Sequence, residues 1–269
     1  MRKAWSERVK GAVRPTLMRA VRPRDERYHC PICDYHGPFK TKRMDRLPGE
    51  RGRQQAVIRR HSKCPRCASV ERHRLQWLAL NDFLPGFRPA GKSLLHVAPE
   101  PCLQPRLREA FGVYHTMDLL REDVDFNEDV QRMSFADASY DAVFVSRVLA
   151  IPPDFAASLR EIRRVLRPGG VAIISEYLDR ERTEPDDDPA SEAARLFGTD
   201  VVDDWRRAFD RVELRLSDEF PGEHQLVNLL ERDRTPVDDV PALVRAPNLG
   251  VKELLAFCYV EGARPSASS

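Results

Sequence analysis

Two short repeats constrain this 269-residue chain more than any other feature: Cys30-Pro31-Ile32-Cys33 and Cys64-Pro65-Arg66-Cys67. Proline after the first cysteine suits a tight turn in each pair, and two such turns can aim four thiolates at one ion. Four sulfurs at about 2.3 Å complete a closed tetrahedral zinc site with no open coordination position. The sequence therefore predicts a structural zinc on Cys30, Cys33, Cys64 and Cys67, in a ribbon whose two turns are separated by 30 residues. Such a segment buries little core, so metal binding would supply its folding energy. His29, His36 and His61 lie close by in sequence. They are read as surface or supporting groups, because four cysteines already fill the coordination sphere. Beyond the second pair, Val70 to Leu84 reads as a helix, and Pro85, Gly86, Pro89 and Gly91 as a linker.

Charge divides at the same place. Residues 1–92 carry 23 Lys/Arg against 8 Asp/Glu, whereas residues 93–269 carry 21 against 34, so the formal net charge of +2 is a cancellation. Such asymmetry points to two units with different partners. Between the cysteine pairs, Lys40, Lys42, Arg43, Arg46, Arg51, Arg53, Arg59 and Arg60 form a basic stripe that suits phosphates, with Tyr35 and Phe39 as the aromatic candidates for base stacking. Residues 1–27 read as a basic tail. Trp5, Val9, Val13 and Leu17 recur there at four-residue spacing, but Pro15 and Pro23 argue against a sustained helix. The tail has no export signal, so the expected compartment is the cytoplasm, where cysteines stay reduced. No apolar run approaches the roughly 20 residues of a transmembrane segment.

From Ser93 the pattern changes to alternating strands and helices, the signature of an α/β domain with a mainly parallel sheet. Strands are expected at 93–98, 113–118, 140–146 and 171–176, with later ones at 211–216 and 254–260. Helices are expected at 101–111 and 154–166, the second stopped by Arg167-Pro168-Gly169-Gly170. In open α/β sheets ligands bind beyond the carboxyl ends of the strands. That places His96 to Glu100, Asp118, Asp129 and Ser146 around one crevice. Asp118 at a strand end suits ribose hydroxyls as well as it suits capping a turn. The expected organisation is a tail (1–27), a zinc ribbon plus helix (28–84) and an α/β domain (93–262).

The segment Asp129-Val-Gln-Arg-Met-Ser-Phe-Ala-Asp-Ala-Ser-Tyr-Asp-Ala-Val, followed by Arg160-Glu-Ile-Arg-Arg-Val-Leu-Arg-Pro-Gly-Gly, resembles the class I S-adenosylmethionine-dependent methyltransferases. Cys64-Pro-Arg-Cys-Ala-Ser-Val-Glu-Arg-His-Arg-Leu and Leu94-Leu-His-Val-Ala-Pro-Glu-Pro-Cys-Leu together resemble a bacterial subgroup of them with an N-terminal zinc ribbon. The resemblance implies a Rossmann-like, seven-stranded mixed sheet whose last strand, near Cys258, is antiparallel. It also implies S-adenosylmethionine as cofactor, with Asp118 on its ribose beside Leu119, and Asp129 with Val130 at its adenine. His96, Ala98 and Glu100 would form the first cofactor turn, and Ser146 would line the same crevice.

The chain departs from the family in two places. Aligning strand ends puts His96 where the family has an acid, and Ala98, Glu100 and Cys102 where it has glycines. Side chains there take up room that glycine leaves to the ligand, and Pro101 removes a backbone donor. Glu100 would repel the cofactor's carboxylate and attract its amino group. After the fourth strand the family's His and Glu are replaced within Arg147-Val-Leu-Ala150-Ile151. Arg147 is a candidate for orienting an anionic acceptor and Glu176 a candidate general base, but no catalytic residue is assigned. Asp179–Ala194 reads as an acidic loop over the crevice. The implied activity is methyl transfer to a small-molecule or sugar-containing acceptor, because this half of the chain is acidic. The alternatives are RNA methylation, with the basic N-terminal region binding RNA, and a non-catalytic zinc-containing interaction protein on the same scaffold.

Overall fold

The computed structural model describes residues 26–44, 57–189, 191–232, 235–236, 240–246 and 250–262, together with 16, 18 and 20. Trp5, Val9, Val13, Leu17, Arg46, Arg51 and Arg53 lie outside these residues. The chain forms two compact units, one of Met1–Asp82 with Leu216–Leu254 and one of Phe83–Arg215 with Leu255–Ser269.

In the first unit, Tyr28–Cys30 and Tyr35–Gly37 form an antiparallel hairpin across the first cysteine pair. Lys40–Met44 pairs antiparallel with Val57–Lys63, ahead of the second cysteine pair. Helix α1 (Glu71–Phe87) follows, continuing through Pro85 into the stretch expected to be a linker. The expected α/β span of 93–262 is interrupted, because 216–254 fold with the N-terminal residues. The reason is an open ladder. Val227–Arg232 supplies the backbone partners that the far edge of Val57–Lys63 needs, pairing Leu229 with Arg60 and Glu231 with Ile58. Arg74 of α1, fully buried, locks the arrangement. It donates to the carbonyls of Ser62, Ser69, His224 and Gln225 at 2.5–3.1 Å and packs over the Phe39 ring. Burying a guanidinium is tolerated only when its donors are met in this way.

The second unit is built on a seven-stranded mixed sheet. Its strands are β1 (Ser93–Val97), β2 (Val113–Asp118), β3 (Phe126–Asn127), β4 (Tyr140–Ser146), β5 (Leu166–Ser175), β6 (Arg211–Leu216) and β7 (Leu254–Tyr259). They lie in the order β3-β2-β1-β4-β5-β7-β6. The first five are parallel neighbours and β7 runs antiparallel to β5, as the resemblance implied. The middle strands are buried on both faces, hence their near-continuous apolar runs. Helices α2 (Gln104–Ala110), α3 (Phe155–Val165) and α4 (Val201–Ala208) complete the unit. Asp154 caps α3 by accepting from the Ala157 N–H at 2.8 Å, and Leu159, Ile162 and Val165 form its buried face. The Arg-Pro-Gly-Gly segment does not separate helix from strand. It forms the irregular start of β5 itself, with Gly169 at φ +82°.

Candidate functional site

Strand register brings three of the predicted cofactor residues to one edge of the sheet. Val97 pairs with Met117 on one side and with Val145 on the other, so Ala98, Asp118 and Ser146 stand at the same level past β1, β2 and β4. Three of the four exposed large apolar side chains among the described residues also lie at this edge: Leu119, Leu120 and Ile151, with exposures of 59%, 84% and 45%. Bare leucines beside a strand-end carboxylate suit a ligand with an apolar face and hydroxyl groups.

Each predicted residue has a defined setting. His96 is fully buried on β1, with Nδ1 2.8 Å from the Tyr114 hydroxyl, Nε2 2.8 Å from Glu100 Oε2 and its ring stacked on Phe144. It therefore does not project into the crevice in place of an acid. It holds one, because Glu100 reaches back from the following turn. Ala98 adopts φ +49°, keeping the left-handed backbone that glycine would favour. Asp118 accepts from the Leu120 and Arg121 N–H groups through Oδ1, so one oxygen caps a turn. Asp129 binds the backbone and side chain of Gln131, whose own Oε1 accepts from the Asp154 N–H. Val130 and Ser146 are buried.

Glu176 is not placed as an open base. Its Oε1 accepts from the Val148 and Leu149 N–H groups at 3.0 and 2.9 Å, holding the loop after β4. Arg147 sits at φ +59° with its guanidinium over the Tyr177 ring. The Asp179 carboxyl, in the same segment, stands above its ordinary value. Burial raises it, outweighing the opposing effects of Arg180 and Arg147. The acidic segment 179–194 is anchored at both ends. Glu184–Pro185 pairs with Arg195–Leu196, Thr183 donates to Asp200, and Arg195 donates to the carbonyls of Leu149, Pro152 and Pro153. Sequence reasoning missed Tyr114, Gln131 and Arg195. Nothing local marks them, since each meets a residue at least 18 positions away: His96, Asp154 and Leu149 respectively.

In the first unit the four predicted cysteines converge, with all sulfurs within 4.8 Å of one another and the Cys30–Cys67 and Cys33–Cys64 pairs at 3.6 Å. The two turns match. The Cys30 carbonyl accepts from Asp34 and the Cys64 carbonyl from Ala68, at 2.9 and 3.0 Å, with both acceptor-closing residues in the left-handed region. Hydrogen bonds from Cys33, Cys64 and Cys67 hold the Cys30 thiol well below its ordinary value. Of the basic stripe, Arg59 is paired with Glu71 and Arg60 with Glu231. Lys42 faces Arg59 and Lys40 faces Lys63 across the ladder.

Comparison with known proteins shows similarity over part of the chain. The model of a family described as a methyltransferase domain matches residues 107–174. A demethylmenaquinone methyltransferase of Mycobacterium marinum is 35% identical over 89 residues, 33% of this chain and 33% of that protein. A sterol 24-C-methyltransferase of Gibberella zeae is 34% identical over 77 residues, 28% of this chain and 20% of that protein. This chain thus spans about a third or less of the length of these curated relatives. Among solved structures, a 1,6-didemethyltoxoflavin-N1-methyltransferase of Burkholderia thailandensis, with bound S-adenosylhomocysteine, is similar at a TM-score of 0.45 and 15% identity, over 80% of this chain and 100% of that one. By sequence, residues 107–174 of this chain are similar to a methyltransferase domain.

Proposed function

We propose that this chain is a cytoplasmic class I S-adenosylmethionine-dependent methyltransferase of the zinc-ribbon subgroup, acting on a small-molecule or sugar-containing acceptor. Cys30, Cys33, Cys64 and Cys67 would hold a structural zinc. The observation that carries the reading is the methyltransferase-domain match over 107–174, which includes Asp118, Leu119, Asp129, Val130 and Ser146.

The side chains at the strand ends suit an amino-acid-bearing nucleoside. Asp118 can accept from ribose hydroxyls, Leu119 can cover an apolar face, and Asp129 with Val130 can meet the adenine. Glu100 offers a carboxylate to an ammonium group, held at a set angle by His96, which Tyr114 holds in turn. The cofactor, when bound, supplies a methyl group already activated on a sulfonium. What remains for the chain is to hold donor and acceptor in line and keep water out, and orientation of that kind supplies much of the rate. Titration calorimetry of S-adenosylhomocysteine into the zinc-loaded full chain should show binding. Asp118→Ala should weaken it at least tenfold, about 1.4 kcal/mol. Absence of binding by both S-adenosylmethionine and S-adenosylhomocysteine overturns the reading.

A further inference from the structure

In the first unit, apart from the four cysteines, three side chains converge in a way that hydrogen bonding does not explain. His224 ends the short turn Gly222–His224, and its side chain is only 9% exposed. Its Nδ1 lies 3.1 Å from the His29 carbonyl oxygen. A carbonyl only accepts, so Nδ1 carries the proton and, in the neutral ring, Nε2 is a lone pair. His29 is arranged in the opposite sense. Its Nε2 lies 3.0 Å from Oδ1 of Asp34; the carboxylate accepts, so Nε2 carries the proton and Nδ1 the lone pair. Both lone pairs face the same oxygen. Glu223 Oε1 is 3.9 Å from His29 Nδ1 and 3.9 Å from His224 Nε2, beyond hydrogen-bond reach. In the neutral tautomers that these hydrogen bonds favour, two imidazole nitrogens and a carboxylate oxygen face one another, which is the donor set of a transition-metal site.

We propose that His29, Glu223 and His224 form a second metal site, separate from the cysteine cluster, for a divalent transition ion of the zinc class. Their ligand atoms lie within 4.8 Å of one another, a spread that small side-chain rotations close onto one ion at about 2.0–2.2 Å. Two imidazoles and a carboxylate select zinc, cobalt or nickel over calcium and magnesium, which prefer all-oxygen sets. The outer partners are those such sites use: a carboxylate orients one imidazole and a backbone carbonyl the other, fixing both tautomers. His36, stacked on His29 and 3.4 Å from the same Asp34 oxygen, supports that carboxylate. With three protein ligands, the fourth position falls to water. The ion would tie the 222–224 turn to strand Tyr28–Cys30, segments 195 residues apart; in the chain-entropy model, restraining the ends of a loop that long gains the most.

Cobalt(II) added to the full-length chain with zinc already in the cysteines tests this. One equivalent of cobalt should bind, giving ligand-field bands without thiolate-to-metal charge transfer. His224→Ala and Glu223→Gln should each weaken cobalt binding at least tenfold while one zinc per chain is retained, which reports that the unit stays folded. His36→Ala should keep the cobalt. The proposal is overturned if the wild-type chain takes up no cobalt beyond its zinc, or if both variants bind it as well as wild type. It is equally overturned if His36→Ala loses it while His224→Ala does not, or if both variants shed zinc and cobalt together.

Discussion

Ala98 shows how a single residue can hold a backbone conformation that its side chain does not favour. The first turn after β1 runs through the left-handed region at φ +49°, where a Cβ costs energy that glycine avoids. Ala98→Gly should therefore stabilise the chain by up to about 1 kcal/mol, measured by urea unfolding. A destabilised variant would mean that the Ala98 methyl group packs more usefully than the strain costs. The neighbouring His96–Glu100 pair was partly legible: both residues stand out in Leu94-Leu-His-Val-Ala-Pro-Glu, but their hydrogen bond was not. Aligning His96 with an acid assumed that it faces the ligand. The structure instead buries its ring against Phe144 and sets its Nε2 2.8 Å from the carboxylate of Glu100, four residues on. Glu176 repeats the lesson. A strand-end acid reads as a base, and only the loop that returns to it, through the Val148 and Leu149 N–H groups, shows it to be a cap.

Among elements, the sheet is clamped at its base by Asp141. Its Oδ2 accepts from the Ser93 N–H and hydroxyl and from Arg167, at 2.8–2.9 Å, joining β1, β4 and β5. Burial alone would raise this carboxyl, but the Ser93 hydrogen bonds and Arg167 outweigh it, and the net shift is downward from the ordinary 3.8. A depressed carboxyl stabilises the fold above its unfolded value and ceases to as pH falls through its folded one. Asp141→Asn should thus cost about 1–3 kcal/mol at neutral pH, and the gap between variant and wild type should narrow below about pH 3.8. Chemical denaturation across pH checks this, and a gap that stays constant to acid pH would contradict it. Element boundaries within the sheet were largely legible, because buried parallel strands need continuous apolar runs. The helix does end just before the Pro-Gly-Gly segment, but the strand was expected only after it, since those residues usually break structure. Here they form the irregular start of β5.

Over the whole molecule, the chain is not two consecutive blocks. Leu216–Leu254 belongs with Met1–Asp82, and its ladder to Val57–Lys63 brings together residues such as Arg60 and Glu231, 171 positions apart. If zinc on the four cysteines holds this unit, stripping it with a chelator should release amide protection in Tyr28–Gly37, Val57–Lys63 and Val227–Arg232, while β1, β4 and β5 stay protected. Hydrogen exchange resolves the two units. Equal loss in both, or none in either, would contradict the prediction. The sequence by itself determined the cysteine turns, six of the seven strands of the sheet and the level at which Ala98, Asp118 and Ser146 gather. These follow from local spacing: turns of four residues, apolar runs, and the rule that parallel strands present their carboxyl ends together. Only the tertiary structure decided what each acid and imidazole does, that His96 serves Glu100 and that His29, Glu223 and His224 meet. The partners of a polar side chain are chosen by register and by returning loops: His29 and His224 are 195 positions apart, and even His96 and Glu100, four apart, meet only because the turn after β1 folds back.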